Sequence, residues 1–535
     1  MDSDIFDYVI VGAGSAGCVL ADRLSEGGAS VALLEAGPPD RHPFIHIPAG
    51  VKQLLHNPGV NWMYASEPEP SSGNRAIHWP RGRVLGGSSS INGMLYVRGN
   101  PADYDSWAQA GCRGWTWDEV LPFFRKSENY VSGGDEEFRG REGPLEVEDY
   151  RTVLPLTHRF VEAAQQAGFP LSPDLNGAEP EGVGYSQMTR VGRFRGSTAR
   201  TYLKRARGRA GFLVETDAVA TRLLMQGRRC TGVAFRQRGR DRTVRAAREV
   251  VVAGGAVNSP HLLQVSGIGP GEHLRSHGIE VLHDLAGVGR NLSDHYVARV
   301  VHRVQGAVTM NELSRLPRVA GEILRYALFG NGALTFGVTS AMVFCRSREG
   351  LASPDLQLLF TPASYDVSRV LTLENEPGIS LVVCPTRPAS RGTVMVDGPD
   401  PLARPKIRPN YLTDPDDVRV MQAGFAHARR ILQAPALARH SVAEIRPGPD
   451  VTAPGAIEEF ARREGTTLYH PVGTCRMGTD PTAVVDPRLK VHGLDGLRVV
   501  DASVMPVLTT GNTNAPTIMI AEKASAMILE DARRP

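Results

Sequence analysis

A glycine turn near the start of the chain has the spacing of a phosphate-binding loop. Gly12, Gly14 and Gly17 form the pattern G-x-G-x-x-G. An apolar run, Tyr8 to Val11, precedes the turn, and a segment typical of a helix, Ala16 to Leu24, follows it. Gly12 permits the tight turn, Gly14 lets the backbone approach a pyrophosphate, and Gly17 lets the helix pack on the strand. Free N–H groups at the start of that helix would face the phosphates.

An acidic residue, Glu35, stands at the end of the second predicted strand, where a dinucleotide-binding segment has one. A second apolar run, Ser30 to Leu34, ends at Glu35, and the order strand, turn, helix, strand predicts two parallel strands with a right-handed crossover. Glu35 would accept hydrogen bonds from a ribose diol. The segment therefore predicts a dinucleotide site, although this pattern alone does not separate NAD from FAD.

A second glycine-rich segment favours FAD, the longer dinucleotide. Residues Arg81 to Gly93 read RGRVLGGSSSING, which is dense in glycine and small hydroxyl side chains. Such a segment suits a second close approach of backbone to a cofactor. An NAD-binding domain rarely needs this second approach, whereas FAD does.

Length and charge exclude several classes of protein. A chain of 535 residues exceeds what one hydrophobic core supports, which predicts two domains. The net charge of +3 does not indicate a nucleic-acid binder, and the basic stretch Arg236 to Arg248 lacks aromatic residues that would stack on bases. We interpret that stretch as a solvated hairpin turn. A hydrolase is not expected, because no G-x-S-x-G motif is present.

The cysteines and the apolar runs predict a cytoplasmic location. The six cysteines lack C-x-x-C spacing, so we expect buried free thiols and no metal site. The first residues, MDSDIFD, lack the features of a signal peptide, and no apolar run reaches the ~18 residues that span a membrane. Loose association with a membrane surface stays open, as does the oligomeric state.

The remaining secondary structure is predicted from apolar periodicity and turn residues. Residues Pro38 to Gly82 are expected to be mostly loop, and Val300 to Phe460 to form a domain of sheet and helices. Predicted strands are Phe212 to Leu224, Cys230 to Arg236, Val244 to Ala253, Leu356 to Phe360, Ile379 to Cys384 and Leu497 to Val500. Predicted helices are Trp117 to Glu128, Leu316 to Phe329, Asp417 to Gln433 and Thr517 to Glu530.

Six motifs in the same order resemble the glucose-methanol-choline family of FAD oxidoreductases. They are Gly12 to Gly17 with Glu35, Arg83 to Gly99, Gly254 to Gly269, Gly287 to His295, Tyr469 to Gly478, and Asp501 to Ile520. The resemblance implies an α/β fold in which a Rossmann-like FAD-binding domain is interleaved with an α+β substrate-binding domain, whose antiparallel sheet roofs the flavin. We expect the FAD-binding domain at 1–158, 193–300 and 463–535, and the substrate-binding domain at 159–192 and 301–462.

The resemblance also implies where the cofactor lies. Asn92 and Gly93 would lie beside the isoalloxazine, the backbone of Val219 at the adenine, and Asp501 with Ala502 near the pyrophosphate and ribityl chain. The last helix would point its N-terminus at the flavin pyrimidine ring. The full set of expected FAD-binding residues is Gly12, Gly14, Ser15, Gly17, Glu35, Ala36, Arg83, Gly86, Gly87, Asn92, Gly93, Val219, Asp501, Ala502, Asn514 and Thr517.

One departure from the family pattern concerns the link to the cofactor. Some members attach FAD covalently through a histidine just before the asparagine of the glycine-serine segment, where this chain has Ile91. We therefore expect non-covalent FAD.

The resemblance selects His470 from the fifteen histidines as the proton acceptor in alcohol oxidation. Asn512, eleven residues after Asp501, takes the partner position and would hold the substrate oxygen. We expect a primary, uncharged aryl or aliphatic alcohol, favoured by the segment Phe44 to Gly50, with O₂ or a quinone as electron acceptor. Choline oxidation and a non-redox hydroxynitrile lyase remain alternatives.

Overall fold

The computed structural model describes residues 5–366 and 371–533, so residues 1–4, on which the signal-peptide prediction partly rests, lie outside it. Two seven-stranded sheets dominate the molecule, and the chain passes from the first to the second and back twice. This arrangement confirms the predicted interleaving. The predicted domain boundaries themselves stay a prediction; the one between 300 and 301 falls inside the strand Tyr296–Val304.

The first sheet is mostly parallel. Val31–Leu34 is apolar and buried at every position, which is typical of a parallel strand covered on both faces. Antiparallel pairing is confined to three consecutive strands at one side of the sheet, Ala218–Gln226, Arg229–Gln237 and Arg240–Val252, which are joined by two hairpins. The order across the sheet is Phe212–Glu215, Val31–Leu34, Ile5–Val11, Arg240–Val252, Arg229–Gln237 and Ala218–Gln226, with Leu497–Val499 also paired to Arg240–Val252.

The predicted glycine turn joins the first strand to helix Ser15–Glu26. Gly12 has φ 101°, a conformation that glycine adopts without steric cost. A Cβ atom on Gly17 would lie 1.8 Å from the Gly12 carbonyl oxygen, so the helix can start this close to the strand only with glycine there. The last helix, Asn514–Asp531, packs against this one, and an ion pair of 2.8 Å between Arg23 and buried Glu522 joins them.

The second sheet is antiparallel and has a helix layer on one face. Helices Pro155–Gln166 and Pro415–Leu432 pack on that face, where Gly424 allows close approach to Val383. The opposite face of the sheet is turned toward the first sheet. The order of its strands is Ser441–Arg446, Tyr296–Val304, Gly378–Pro385, Leu356–Thr361, Ala341–Cys345 and Gly182–Tyr185, with Thr466–Thr467 also paired to Tyr296–Val304.

The prediction of one strand from Phe212 to Leu224 is wrong. The strand is interrupted at Asp217, which has φ 55°. The two resulting strands, Phe212–Glu215 and Ala218–Gln226, lie at opposite edges of the sheet. The N–H of Asp217 donates to the Gly37 carbonyl at 2.9 Å, and that of Ala218 to the Glu35 carbonyl at 2.8 Å. These bonds draw the chain across the end of the neighbouring strand before the hairpin begins.

Other elements differ at their ends. The helix predicted from Leu316 begins at Arg318, because the residue before a proline is disfavoured in a helix. Residues 38–82, expected to be mostly loop, contain short helices at Pro43–His46 and Val51–Leu55 and a strand pair, Tyr64–Ala65 with His78–Trp79. The basic stretch is a hairpin as predicted, although its turn is confined to residues 238–239 and the rest is strand.

Smaller elements complete the described chain. A four-stranded sheet contains Glu128–Tyr130, Leu145–Asp149, Gln187–Val191 and Phe194–Arg195, and two strand pairs join Ile268–Gly269 with His283–Asp284 and Thr393–Met395 with Lys406–Arg408. Further helices are Pro101–Gln109, Trp117–Ser127, Lys204–Ala206, Gly255–Val265, Gly271–Ser276, Met310–Leu313, Pro435–Ala438 and Pro454–Glu464. All six cysteines are buried and free. Within residues 5–366 and 371–533, no helix is long and apolar enough to cross a membrane.

Candidate active site

A cavity of about 1250 Å³ is lined by residues of both sheets. Apart from Gly17 and Gly86, every residue predicted for the site lines it. Those that do are Gly12, Gly14, Ser15, Glu35, Ala36, Arg83, Gly87, Asn92, Gly93, Val219, His470, Asp501, Ala502, Asn512, Asn514 and Thr517.

Two glycine segments cross at one end of the cavity. A Cβ atom on Gly87 would lie 2.6 Å from the Gly14 Cα, so the two backbones meet without side chains between them. The Gly86 N–H donates to the Ala13 carbonyl at 2.8 Å. Gly17 and Gly86 therefore shape this cradle through the backbone. Bare backbone beside a helix N-terminus fits a pyrophosphate.

Glu35 is buried at the edge of the cradle. One carboxylate oxygen accepts from the Ala13 N–H at 2.9 Å, and the other from the Gly37 N–H at 2.8 Å. Burial raises the pKa of Glu35 to about 7, while the two N–H groups and the charge of Arg83 oppose that rise. A carboxylate has about four acceptor positions, so each oxygen keeps capacity for one more donor, as a ribose diol would supply.

The last helix presents its N-terminus to the cavity. Thr513, Asn514 and Thr517 line the wall, and the Asn514 Oδ1 accepts from the Ser15 hydroxyl at 2.7 Å. The first turn contains no acidic residue, so nothing on the helix offsets the positive end of its dipole. The Asp501 carboxylate is bonded to the Gly255 N–H and the Ser259 hydroxyl, at 2.8 and 2.5 Å. Any cofactor contact there would come from backbone.

At the other end of the cavity, His470 lies between a second histidine and an amide. Its Nδ1 is 2.9 Å from the His295 Nδ1, and its Nε2 is 3.1 Å from the Asn512 Nδ2. The His295 Nε2 is 3.0 Å from the carbonyl oxygen of Thr386. The Asn512 Oδ1 is buried and has no hydrogen-bond partner in the described structure.

These contacts define which nitrogen atoms of His295 and His470 carry a hydrogen. A carbonyl oxygen only accepts, so the His295 Nε2 carries a hydrogen and its Nδ1, in the neutral ring, is a lone pair. His470 must therefore donate from Nδ1, which leaves its Nε2 as a lone pair that accepts from Asn512. The unpartnered Asn512 Oδ1 and the His470 Nε2 are two acceptors beside one cavity, an arrangement that suits a hydroxyl donor.

Burial keeps both imidazoles neutral. It holds the pKa of His470 well below its usual range, and repulsion between protonated His470 and a protonated His295, together with the charge of Arg81, lowers it further. Burial also lowers the pKa of His295 to about 4. His470 is thus a base that stays unprotonated at neutral pH.

Asp294 fixes the backbone that carries His470. Its carboxylate accepts from the His470 N–H at 2.7 Å, from the Thr467 hydroxyl at 2.6 Å and from the hydroxyl of Tyr411. Tyr469 just before has φ 69°, a conformation that is strained for a tyrosine. This network holds the imidazole where it meets His295 and Asn512.

Several residues of the site escaped the sequence analysis. His295 and Asp294 lie in the family motif Gly287 to His295, but the motif alone did not predict a function for either residue. Arg195, which is fully buried, donates to the Asn92 Oδ1 at 2.8 Å and orients that amide. By contrast, Phe44, which motivated the prediction of an uncharged alcohol, is 38% exposed, and it does not line the cavity formed by the described residues.

A parallel sheet with a glycine cradle, joined to an antiparallel sheet over a buried base, defines an FAD-dependent oxidoreductase. Comparison with known proteins gives its family. Models described as GMC oxidoreductase match residues 6–297 and 388–521, and the chain therefore belongs to the GMC oxidoreductase family. Enzymes of this family depend on FAD, in agreement with the predicted cofactor.

Individual relatives cover nearly the whole chain. An alcohol dehydrogenase (acceptor) of Pseudomonas putida is 42% identical over 98% of this chain and 96% of that relative. An oxygen-dependent choline dehydrogenase of Photobacterium profundum is 40% identical over 98% of this chain and 93% of that relative. The crystal structure of pyridoxine 4-oxidase from Mesorbium loti superposes with a TM-score of 0.88 at 33% identity, over 98% of this chain and 99% of that one.

Proposed function

We propose that this oxidoreductase converts an alcohol to the aldehyde, with His470 accepting the hydroxyl proton. The observation that carries the proposal is the lone pair of the buried His470 Nε2, which lies beside Asn512 at the cavity. Bound FAD supplies the hydride acceptor. Gly12 to Gly17, Glu35 and the segment Arg83 to Gly93 would hold it.

The chain's own groups perform the proton chemistry. The substrate hydroxyl displaces the Asn512 Nδ2 from the His470 Nε2 and donates to that lone pair. The amide then holds the substrate oxygen, and its position beside the imidazole aligns the carbon–hydrogen bond for transfer. As Nε2 gains the proton, Nδ1 keeps its bond to His295, so the ring does not rotate.

An anaerobic screen tests the proposal. The holoenzyme is mixed with a panel of alcohols without oxygen, and flavin absorbance is followed. Bleaching by an alcohol supports oxidation, whereas an unbleached flavin in a protein that cleaves cyanohydrins would establish the lyase alternative. Admission of air then separates O₂ from a quinone as acceptor, and this choice, like the cytoplasmic location, stays a prediction. The choline dehydrogenase relatives keep choline in the panel.

The rate of flavin reduction should stay constant as the pH falls through about 6.5, the usual value for histidine. Protonated His470 cannot accept a proton, so the rate falls only as the pH drops through its own pKa, which burial has lowered. We call this fall of the rate at low pH the acid limb of the pH profile. Stopped-flow reduction at saturating alcohol across pH measures it. A limb at or above the usual histidine value would contradict the assignment.

Replacing His295 with leucine should slow flavin reduction by about ten- to hundredfold, the usual cost of removing a group that orients a histidine. His470 would then no longer be held in one tautomer. The acid limb should also move to higher pH, because His295 is one of the groups that lower the His470 pKa.

His302→Leu is the matched control for His295→Leu. His302 is buried on strand Tyr296–Val304 and bonded to Ser441 at 2.7 Å, away from His470. The His302→Leu variant should keep the acid limb at the pH of the wild-type enzyme. If His295→Leu slows flavin reduction but also keeps the limb at that pH, His295 has only a structural role.

Acid precipitation should release the flavin into the supernatant. Ile91 replaces the linking histidine of some relatives and is 2% exposed, packed in an apolar cluster with Ile45 and Val84. Its side chain has no group that could form the bond. Flavin fluorescence that stays with the washed, denatured polypeptide would show a covalent link elsewhere.

A further inference from the structure

Arg299 places a positive charge in the cavity without a counter-ion. It lies on strand Tyr296–Val304, pairs through its backbone with Val382, and lines the cavity. Across residues 5–366 and 371–533, no hydrogen bond or ion pair joins its guanidinium to another residue. The titratable groups near enough to affect it are Tyr469, Tyr365 and Arg446, and none of them is a carboxylate.

Neighbouring arginines are compensated. Arg303, four residues on along the same strand, lies 2.5 Å from the Glu374 carboxylate and 2.8 Å from that of Glu376. Arg446, on the adjacent strand, lies 2.9 Å from Glu374. Arg81 donates to the Tyr469 carbonyl at 2.7 Å. Arg299 is half-buried at the cavity wall and has no such partner among the described residues, so its guanidinium can pair with an anionic group that enters the cavity.

We propose that Arg299 binds an anionic group of the substrate, so that the alcohol oxidised at His470 carries a carboxylate. This inference rests on the proposed alcohol oxidation, and it departs from the expectation of an uncharged substrate. A guanidinium forms paired hydrogen bonds with a carboxylate. A quaternary ammonium alcohol such as choline would instead meet a like charge, which disfavours the choline alternative.

His295, which contacts His470, directly precedes the strand that carries Arg299, and this gives an approximate spacing for the two substrate groups. Arg299 lies four residues beyond His295, about 13 Å along an extended backbone. The arginine side chain covers part of that distance, and a ring between the hydroxyl carbon and the carboxylate covers more. A suitable probe is 4-(hydroxymethyl)benzoate, and its methyl ester is the neutral counterpart.

The first experiment compares kcat/KM for the two probes. We expect the wild-type enzyme to prefer the carboxylate by roughly ten- to hundredfold, the scale of a charge-assisted hydrogen bond. Arg299→Gln should remove that preference, while Arg303→Gln, which removes a charge from the same strand, should keep it. Equal preference in wild-type and Arg299→Gln enzyme would overturn the inference.

A second experiment measures binding without turnover. The oxidised holoenzyme is titrated with benzoate and with benzamide, and flavin absorbance reports binding. Tighter binding of benzoate that disappears in Arg299→Gln supports the anion subsite even if no alcohol reduces the flavin, in which case only the proposed function fails. Loss of FAD from Arg299→Gln would show that Arg299 serves the cofactor, and the inference would fall.

An independent observation concerns helix Arg318–Phe329, whose only buried residue is Tyr326. Ile323, Leu324, Leu328 and Phe329 are 52%, 59%, 60% and 72% exposed. Leu324 and Leu328 lie side by side on the exposed face, because residues four apart are neighbours on a helix surface, and Ile323 and Phe329 flank them. Such an exposed apolar face marks an interaction surface.

The rim of this face is basic. The Arg193 guanidinium donates to the carbonyl of Ala327 on the helix at 2.6 Å, and Arg315, Arg318 and Arg325 lie on or just before it. Arg318 forms an ion pair with Glu312 and Arg325 with Glu322, which leaves the charges of Arg193 and Arg315 without a carboxylate partner among the described residues. We infer that this face docks on a bilayer of anionic lipid, since apolar side chains beside cationic ones are typical of helices that lie in the membrane interface.

Vesicle co-sedimentation of the holoenzyme tests the lipid surface. We expect binding to phosphatidylcholine vesicles that contain phosphatidylglycerol, weakened by salt, and little binding to phosphatidylcholine alone. The double variant Leu324→Ser, Leu328→Ser should lose binding, and Leu282→Ser, Val442→Ser, exposed elsewhere, should keep it. Unchanged binding of the first variant, or a dimer that it converts to monomer, would overturn the inference.

Discussion

Alanine at His470 should slow anaerobic flavin reduction by roughly 10²–10⁴-fold, the usual range for the loss of a general base. FAD content and flavin absorbance should barely change, because the glycine cradle and Glu35 hold the cofactor at the other end of the cavity. Stopped-flow bleaching at saturating alcohol measures the effect. Reduction at the wild-type rate with the same acid limb would mean that the proton goes elsewhere.

Asn512→Ala is the informative companion to His470→Ala. It should cost less, because the amide positions the substrate oxygen but takes no proton. The acid limb should remain in Asn512→Ala and vanish in His470→Ala. The double variant should lose less than the sum of the two single losses, because both side chains serve one oxygen atom. Full additivity would place them in separate roles.

The FAD end of the site was predictable because its determinants are local. The φ of Gly12 favours glycine, and a Cβ atom on Gly17 would lie only 1.8 Å from the Gly12 carbonyl oxygen. Both residues stand within a few positions of each other in the chain. The spacing in the sequence therefore carries the geometry directly. The strand break at Asp217 is also local, but apolar residues continue on both sides of it, so periodicity alone does not show it.

The alcohol end was predictable only through the family resemblance. His295 and His470 are 175 residues apart in the chain, and Arg195 and Asn92 are 103 apart. No periodicity connects such positions, and the tautomer of His470 depends on a carbonyl, that of Thr386, on a third segment. The unpaired state of Arg299 is likewise visible only once Glu374 is seen to compensate Arg303 and Arg446.

Removing the Glu35 carboxylate should weaken FAD binding by roughly 10²–10⁴-fold, if two charge-assisted hydrogen bonds to the ribose are lost at about 1.5–3 kcal/mol each. The N–H groups of Ala13 and Gly37 already donate to this group, and with FAD bound two ribose hydroxyls would bring the number of donors to four. Only a carboxylate accepts on both oxygens. Glu35→Gln should therefore bind FAD almost as poorly as Glu35→Ala, since its NH₂ group would face a donor.

The pH dependence of FAD affinity separates this role from a purely structural one. Burial raises the pKa of Glu35 to about 7 without cofactor, and a protonated carboxyl turns one acceptor into a donor. Affinity should therefore be full above pH 7 and decline as the pH falls below it, because FAD binds the ionised form. Titration of apoprotein with FAD across pH measures this. Glu35→Ala should lack the decline, with a thermal unfolding midpoint that shows the apoprotein still folded. An equal decline in both proteins would assign the titration to another group and remove Glu35 from the ribose.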